Sequence, residues 1–176
     1  MNSTYWYAAR SAGVVAYLLL STSVVVGILM SAKERFTWPR FAIEEVHGFL
    51  STLAGVFIVI HGGSLLLDRV VPISLAQELV PFTTHYRPFA VGLGITAAEL
   101  MAAVGVTNLF RRELPYRIWR RAHYLTLAVW GFATVHGLLA GTDRGDPWFA
   151  GIAGAAVTSV GLAAWLRARA LLAQAA

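Results

Sequence analysis

Five long apolar segments divide this chain, and they restrict its possible folds more than any other feature. A run of about 20 apolar residues crosses the hydrocarbon layer of a bilayer as one helix. The chain is 57% hydrophobic and only 13% charged, whereas a soluble domain is about one-quarter charged. We predict an all-α integral membrane bundle of about five transmembrane helices, which forms a single domain over residues 1–176. The predicted spans are residues 13–30, 41–67, 89–110, 118–140 and 148–166.

The distribution of basic residues predicts the orientation of these spans. Ten of the 14 lysines and arginines lie in the first connection, in the third connection or after the last span. The positive-inside rule places these regions in the cytoplasm, with the N-terminus outside. We expect a retained first helix rather than a signal peptide, and a plasma or inner membrane location. This topology accounts for the net charge of +5 without nucleic acid, so the lipid bilayer is the expected partner. The ten residues are Lys33, Arg35, Arg40, Arg111, Arg112, Arg117, Arg120, Arg121, Arg167 and Arg169.

Four of the five histidines lie inside predicted spans. His47 and His61 are 14 residues apart in the second span, and His123 and His136 are 13 residues apart in the fourth. Ionisable side chains inside a membrane are energetically unfavourable and usually mark function. A hydrogen bond to a neighbouring helix explains one such histidine well. Such a bond is a poor explanation for four histidines that are paired on two helices at nearly equal spacing.

The predicted depths of these histidines define two levels. Both spans leave the cytoplasmic side, so His47 and His123 lie near the inner surface, and His61 and His136 lie about 20 Å further out. Each level then offers one imidazole from each helix, an arrangement that suits two stacked, six-coordinate b haems. We predict that His47 and His123 ligate the inner iron and that His61 and His136 ligate the outer iron. The absence of cysteine excludes thiolate-held clusters and covalent haem attachment.

Helix geometry supports one pair better than the other. On an ideal helix, His47 and His61 lie within about 40° of one face, whereas His123 and His136 lie about 140° apart. A kink, a local tightening of the helix or the path of the helix between the haems must reconcile the second pair, and Gly131 is a candidate site for it. Glycine also follows three of the histidines directly, as Gly48, Gly62 and Gly137. These glycines serve either the close approach of a flat macrocycle or close helix packing.

The two histidine spacings carry a family resemblance. With H-x13-H at His47 and His61 and H-x12-H at His123 and His136 two helices later, the chain resembles the ferric reductase-like transmembrane domain. Ferric reductases, NADPH oxidases and the haem-binding subunit of the periplasmic methionine sulfoxide reductase system share this domain. The resemblance implies two non-covalent b haems that pass electrons from a cytosolic donor, through the inner and then the outer haem, to an acceptor outside. It also implies an aromatic residue between the haems, for which Trp130 is the candidate.

The chain departs from the oxidase and reductase pattern in one respect. It contains no Gly-x-Gly-x-x-Gly loop and no C-terminal flavin and nicotinamide domain. We therefore expect no flavin in this chain and a separate donor, either a flavoprotein or a membrane quinol. The acceptor outside is a protein or a small molecule.

Three alternatives to an electron-transfer subunit remain open at this stage. The first is a self-contained ferric or oxygen reductase that acts at the outer haem edge. The second is a quinol-linked dihaem cytochrome b of another family. The third is a membrane protein without redox function, whose histidines move protons or pack helices. The sequence gives no role to His85, in an outer connection, or to Glu99, inside the third span.

Overall fold

A computed structural model describes residues 4–31, 38–69, 71–141 and 145–175, and within these ranges the chain forms helices and no strands. The all-α prediction is confirmed for this part of the chain. Four of the helices, α1, α2, α4 and α7, are long and apolar enough to cross a membrane. The elements are α1 (Thr4–Ser31), α2 (Arg40–Leu67), α3 (Leu75–Leu79), α4 (Pro88–Leu109), α5 (Tyr116–His123), α6 (Leu125–Ala140) and α7 (Pro147–Ala175).

The predicted fourth span, residues 118–140, is divided into two helices. The break falls at Tyr124, between α5 and α6, immediately after His123. Gly131, the possible kink site named from the sequence, lies inside α6. The 16 residues of α6 extend for about 24 Å, which is less than the ~30 Å hydrocarbon layer. Because the break separates His123 from His136, their relative rotation is no longer that of one straight helix.

Two helices are longer than their predicted spans. Helix α1 begins at Thr4 rather than at residue 13, and α7 continues to Ala175 rather than ending at residue 166. The apolar pattern marks only the segment that crosses hydrocarbon. A helix that has already formed extends beyond it, because each further residue adds a backbone hydrogen bond. Alanine, leucine, arginine and glutamine, which make up most of the end of α7, also favour helix.

Helix α1 lies at the centre of the bundle. It packs along α2 and also contacts α6 and α7, whereas α4 packs mainly on α6. Polar contacts tie α1 to α6: Trp130 Nε1 donates to Ser21 Oγ at 3.0 Å, and the Tyr17 and Thr134 hydroxyls are 3.1 Å apart. Because α2 has little contact with α4, α1 sets the position of α2 relative to α6. The buried apolar core joins four spans and α6 through Leu20, Val24, Ile28, Ala54, Ala97, Val129, Val160 and Ala163.

Arg87 joins the N-terminus of α4 to the C-terminus of α6. It is the N-cap of α4 and has a left-handed backbone conformation, with φ 43° and ψ 60°. Its Nη1 donates to the Leu139 carbonyl at 2.7 Å and lies 3.4 Å from the Ala140 carbonyl oxygen. The last carbonyls of a helix lack partners within that helix. The guanidinium supplies the missing donor and complements the negative end of the helix dipole.

We predict that Arg87→Ala lowers the free energy of unfolding by about 1–3 kcal/mol, because charge-assisted hydrogen bonds to the end of α6 are lost. Alanine is strained at positive φ as arginine is, so backbone strain cancels in the comparison. Arg69→Ala is the control, because Arg69 is exposed and its substitution removes the same charge. Thermal unfolding in detergent measures both variants. Equal unfolding midpoints for Arg87→Ala and Arg69→Ala would contradict this role for Arg87.

Candidate functional site

The four histidines of the predicted spans meet as two pairs of rings. His47 of α2 lies against His123 of α5, with ring centroids 6.0 Å apart and an interplanar angle of 67°. His61 of α2 lies against His136 of α6, at 6.2 Å and 83°. Helix α2 is continuous between its two histidines, so the pairs are about 20 Å apart along its axis. We call the first pair the inner level and the second pair the outer level.

The spacing within each pair fits a metal ion between the rings. No hydrogen bond joins the two rings of either pair in the described part of the chain. Two metal–nitrogen bonds of about 2 Å each, together with the half-widths of the two rings, give a centroid separation of about 6 Å. The observed separations of 6.0 and 6.2 Å agree with this value.

The number of ligands distinguishes a haem from a bare metal ion. Among the described residues, no three side chains of histidine, cysteine, aspartate or glutamate converge on one point. A metal ion bound by protein alone takes about four ligands. A haem iron takes four nitrogens from the porphyrin and needs only two axial ligands from the protein. Paired histidines therefore fit a haem and fit a bare ion poorly.

Three of the four rings are held by a backbone carbonyl of a neighbouring helix. In each, Nδ1 donates the hydrogen bond, so the proton lies on Nδ1 and Nε2 keeps the lone pair that binds a metal. This contact also fixes the orientation of the ring before any metal arrives. The three bonds join His47 to the Ser23 carbonyl at 3.0 Å, His61 to the Ala9 carbonyl at 2.7 Å, and His136 to the Ala90 carbonyl at 2.9 Å.

A glycine lies one helical turn after each of these three carbonyls. A helical side chain covers the turn on the N-terminal side of its own Cα, so a larger residue there would cover the carbonyl. A Cβ added at Gly13 would lie 2.9 Å from His61 Nδ1, and one at Gly94 would lie 2.5 Å from His136 Nδ1. At Gly27 the added Cβ would lie 3.1 Å from the Cε1 of His47. The three glycines give the rings access to the backbone.

These three glycines and the carbonyls that they expose were not among the predicted site residues. The available signal was a small residue followed four positions later by glycine. That pattern usually indicates close helix–helix packing, and it says nothing about a histidine. The three occurrences are Ala9 with Gly13, Ser23 with Gly27, and Ala90 with Gly94.

His123 is held in a different way. Its Nδ1 is buried and has no hydrogen-bond partner in the described part of the chain. Trp119, one turn earlier on α5, stacks on the His123 ring with centroids 5.4 Å apart and an interplanar angle of 22°. Ring stacking therefore replaces the carbonyl contact that the other three histidines make.

The glycines that follow the histidines have different surroundings. A Cβ added at Gly48 would meet nothing within 4 Å. Gly62 lies against the carboxylate of Glu78 on α3, and a Cβ at Gly137 would lie 3.0 Å from the Phe149 ring on α7. The structure thus places Gly62 and Gly137 at helix contacts and leaves space beside Gly48. Glu78 is outside the spans, and burial raises the pKa of its carboxyl group.

The remaining predicted residues lie apart from the two pairs. Trp130 is on α6, seven residues after His123 and six before His136, and so lies between the two levels along the chain. His85 and Glu99 are exposed, and no hydrogen bond connects them to either pair in the described part of the chain. Two of the basic residues used to predict orientation, Lys33 and Arg35, lie outside the described residues.

Comparison with known proteins gives one match, and it covers most of the chain. No curated protein and no solved structure is significantly similar to it. The family described as a domain of unknown function (DUF8596) matches residues 4–143. The matched region includes both histidine pairs and the carbonyls and glycines that hold them. The chain therefore belongs to the DUF8596 family.

Proposed function

We propose that this protein is the membrane subunit of a dihaem b-type cytochrome, which transfers electrons across the membrane between an inner donor and an outer acceptor. The observation that carries the proposal is the presence of two facing histidine pairs with ring separations of 6.0 and 6.2 Å. The resemblance to the ferric reductase-like transmembrane domain supports it through the two spacings and the order of the helices.

In this proposal, the paired histidines are the axial ligands. His47 and His123 hold the inner haem, and His61 and His136 hold the outer haem. The haem supplies an iron centre that exchanges one electron at a time. Each iron would be held by two histidines, which would leave no open position for oxygen and would favour electron transfer. The hydrogen bonds at Nδ1 fix three of the rings, so those ligands need no rotation when the haem binds.

Helix packing is consistent with a flat cofactor between α2 and the α5–α6 segment. These segments carry the facing ligands, yet α2 packs mainly on α1 and has almost no backbone contact with α6. The histidine rings face each other across this region, with centroids 6.0 and 6.2 Å apart. His47 with His123, and His61 with His136, would hold a haem there.

The route between the two levels passes the middle of α6. Trp130 lies there, and its indole is fixed by the hydrogen bond to Ser21 on α1. We propose that Trp130 is the aromatic residue between the haems that the family resemblance implies. Helices α5 and α6 together complete a fifth crossing. A separate flavoprotein or a quinol supplies the electrons on the arginine-rich side, and a protein or small molecule accepts them on the other.

We predict that Gly94→Val reduces haem content by about half, because the added side chain displaces His136 and only the inner level then binds haem. The matched control is Gly105→Val on the same helix, since a Cβ there meets nothing within 4 Å. A pyridine haemochrome assay gives haem per chain. Equal haem content in the two variants would show that the position of the His136 ring does not depend on Gly94.

Transmembrane electron transfer is tested in vesicles that contain trapped ferricyanide, with dithionite added outside. We expect the unchanged protein to reduce the trapped ferricyanide to ferrocyanide, one electron for each ion. His61→Ala and His136→Ala should lower the rate to that of protein-free vesicles, because the outer ligands are lost. His85→Ala is the control, since it removes an exposed histidine from the same outer side. If His61→Ala reduces the trapped ferricyanide as fast as His85→Ala does, electrons do not pass through the outer level.

A further inference from the structure

A short stack of aromatic rings leads from the surface of α5 to the inner level. Trp119 stacks on His123, and Tyr116 lies next to Trp119 with ring centroids 5.8 Å apart and an interplanar angle of 35°. Tyr116 is 62% exposed, whereas Trp119 is half-buried. The stack thus connects an exposed ring to an inner-level ring through direct contacts.

The same short helix carries positive charge that the described part of the chain does not neutralise. Arg117 and Arg121 are exposed and form no hydrogen bond or ion pair there. Arg120 is engaged, because its Nε donates to the Tyr124 hydroxyl at 2.9 Å and its Nη1 to the Tyr116 hydroxyl at 2.7 Å. Residues 111–121 contain five arginines and one glutamate, a local net charge of 5 − 1 = +4. This charge is available to an anionic partner.

The rule that basic residues remain in the cytoplasm explains why arginines lie beside a span. It does not explain why three aromatic rings of one helix lie next to one another, Tyr116 beside Trp119 and Trp119 stacked on His123. Electrons tunnel faster through packed atoms than through water, so the stack shortens the effective gap between the surface and the inner level. Helix α5 therefore carries both positive charge and a chain of ring contacts to the inner level. This combination suits the docking of a reduced protein that transfers an electron.

We propose that the exposed face of α5, formed by Tyr116, Arg117 and Arg121, is the docking surface for an acidic electron-carrier protein. Trp119 provides the packed contact between the docked carrier and His123. The inference rests on the proposed function, since it requires a haem at the inner level. A docked carrier that holds an anionic flavin hydroquinone would lose one electron to become the neutral semiquinone, and a haem held by His47 and His123 would take up that electron. Opposite charges on the two surfaces speed the encounter.

The test uses flavodoxin, an acidic flavin carrier, reduced to its hydroquinone and mixed with the detergent-purified, haem-loaded protein. Absorbance in a stopped-flow instrument follows haem reduction. The rate should fall as the salt concentration rises. At low salt, Arg117→Gln and Arg121→Gln should each slow the reaction by roughly 3- to 10-fold. Arg169→Gln is the matched control, because it removes the same charge from α7, where the guanidinium lies 4.7 Å from the Trp165 ring centroid.

The role of Trp119 requires a second pair of variants. Trp119→Leu should slow reduction by flavodoxin more than Trp119→Phe, which keeps a ring in the stack. Dithionite should reduce both variants as it reduces the unchanged protein, because a small reductant does not need the docking surface. If Trp119→Leu loses haem, the arginine series decides the proposal by itself.

Three results would overturn the proposal. Arg117→Gln and Arg121→Gln could react as fast as Arg169→Gln, or the rate could be independent of salt. Alternatively, Arg117→Gln could leave the flavodoxin rate unchanged while weakening binding of the protein to phosphatidylserine vesicles, which would assign the arginines to lipid headgroups. A haem-free unchanged protein would instead reject the proposed function, and its absorption spectrum shows this before any carrier is added.

Discussion

The hydrogen bond from a histidine ring to the backbone of a neighbouring helix is the interaction on which the rest of this site depends. A helical carbonyl has a second lone pair, and inside a membrane no water is available to use it. Gly13, Gly27 and Gly94 leave such carbonyls uncovered, and the ring N–H groups of three histidines donate to them. Helix α1 has no histidine, yet it fixes both rings of α2. Helix α1 thus packs against α2, α6 and α7 and also orients both rings of α2.

The two levels are built differently. Both rings of the outer level are held by carbonyls, which favours a rigid site. At the inner level, His123 has no such contact and is held by the Trp119 ring. At Tyr124 the chain passes from α5, which carries Trp119 and the arginines, to the apolar α6.

Much of the arrangement could be predicted from the sequence because it depends on quantities that a sequence records directly. Apolar runs locate the long helices, and the rise per residue gives the two histidine depths. The break at Tyr124 could not be predicted, because no proline or glycine lies near it; it occurs where the arginine-rich α5 gives way to the apolar α6. The carbonyl partners could not be predicted either, since a backbone group has no letter in the sequence and the pattern of a small residue and glycine beside it usually indicates helix packing. Gly131 was the obvious flexible residue, but α6 continues through it.

The central claim is that each histidine pair holds one haem. The most direct test is to purify the unchanged protein from cells supplied with haem, measure haem per chain, and record the electron paramagnetic resonance spectrum of the oxidised form. The account predicts about two b haems per chain, both low-spin with two imidazole ligands. Protein that stays haem-free, or haem that is high-spin with a single axial ligand, would contradict it.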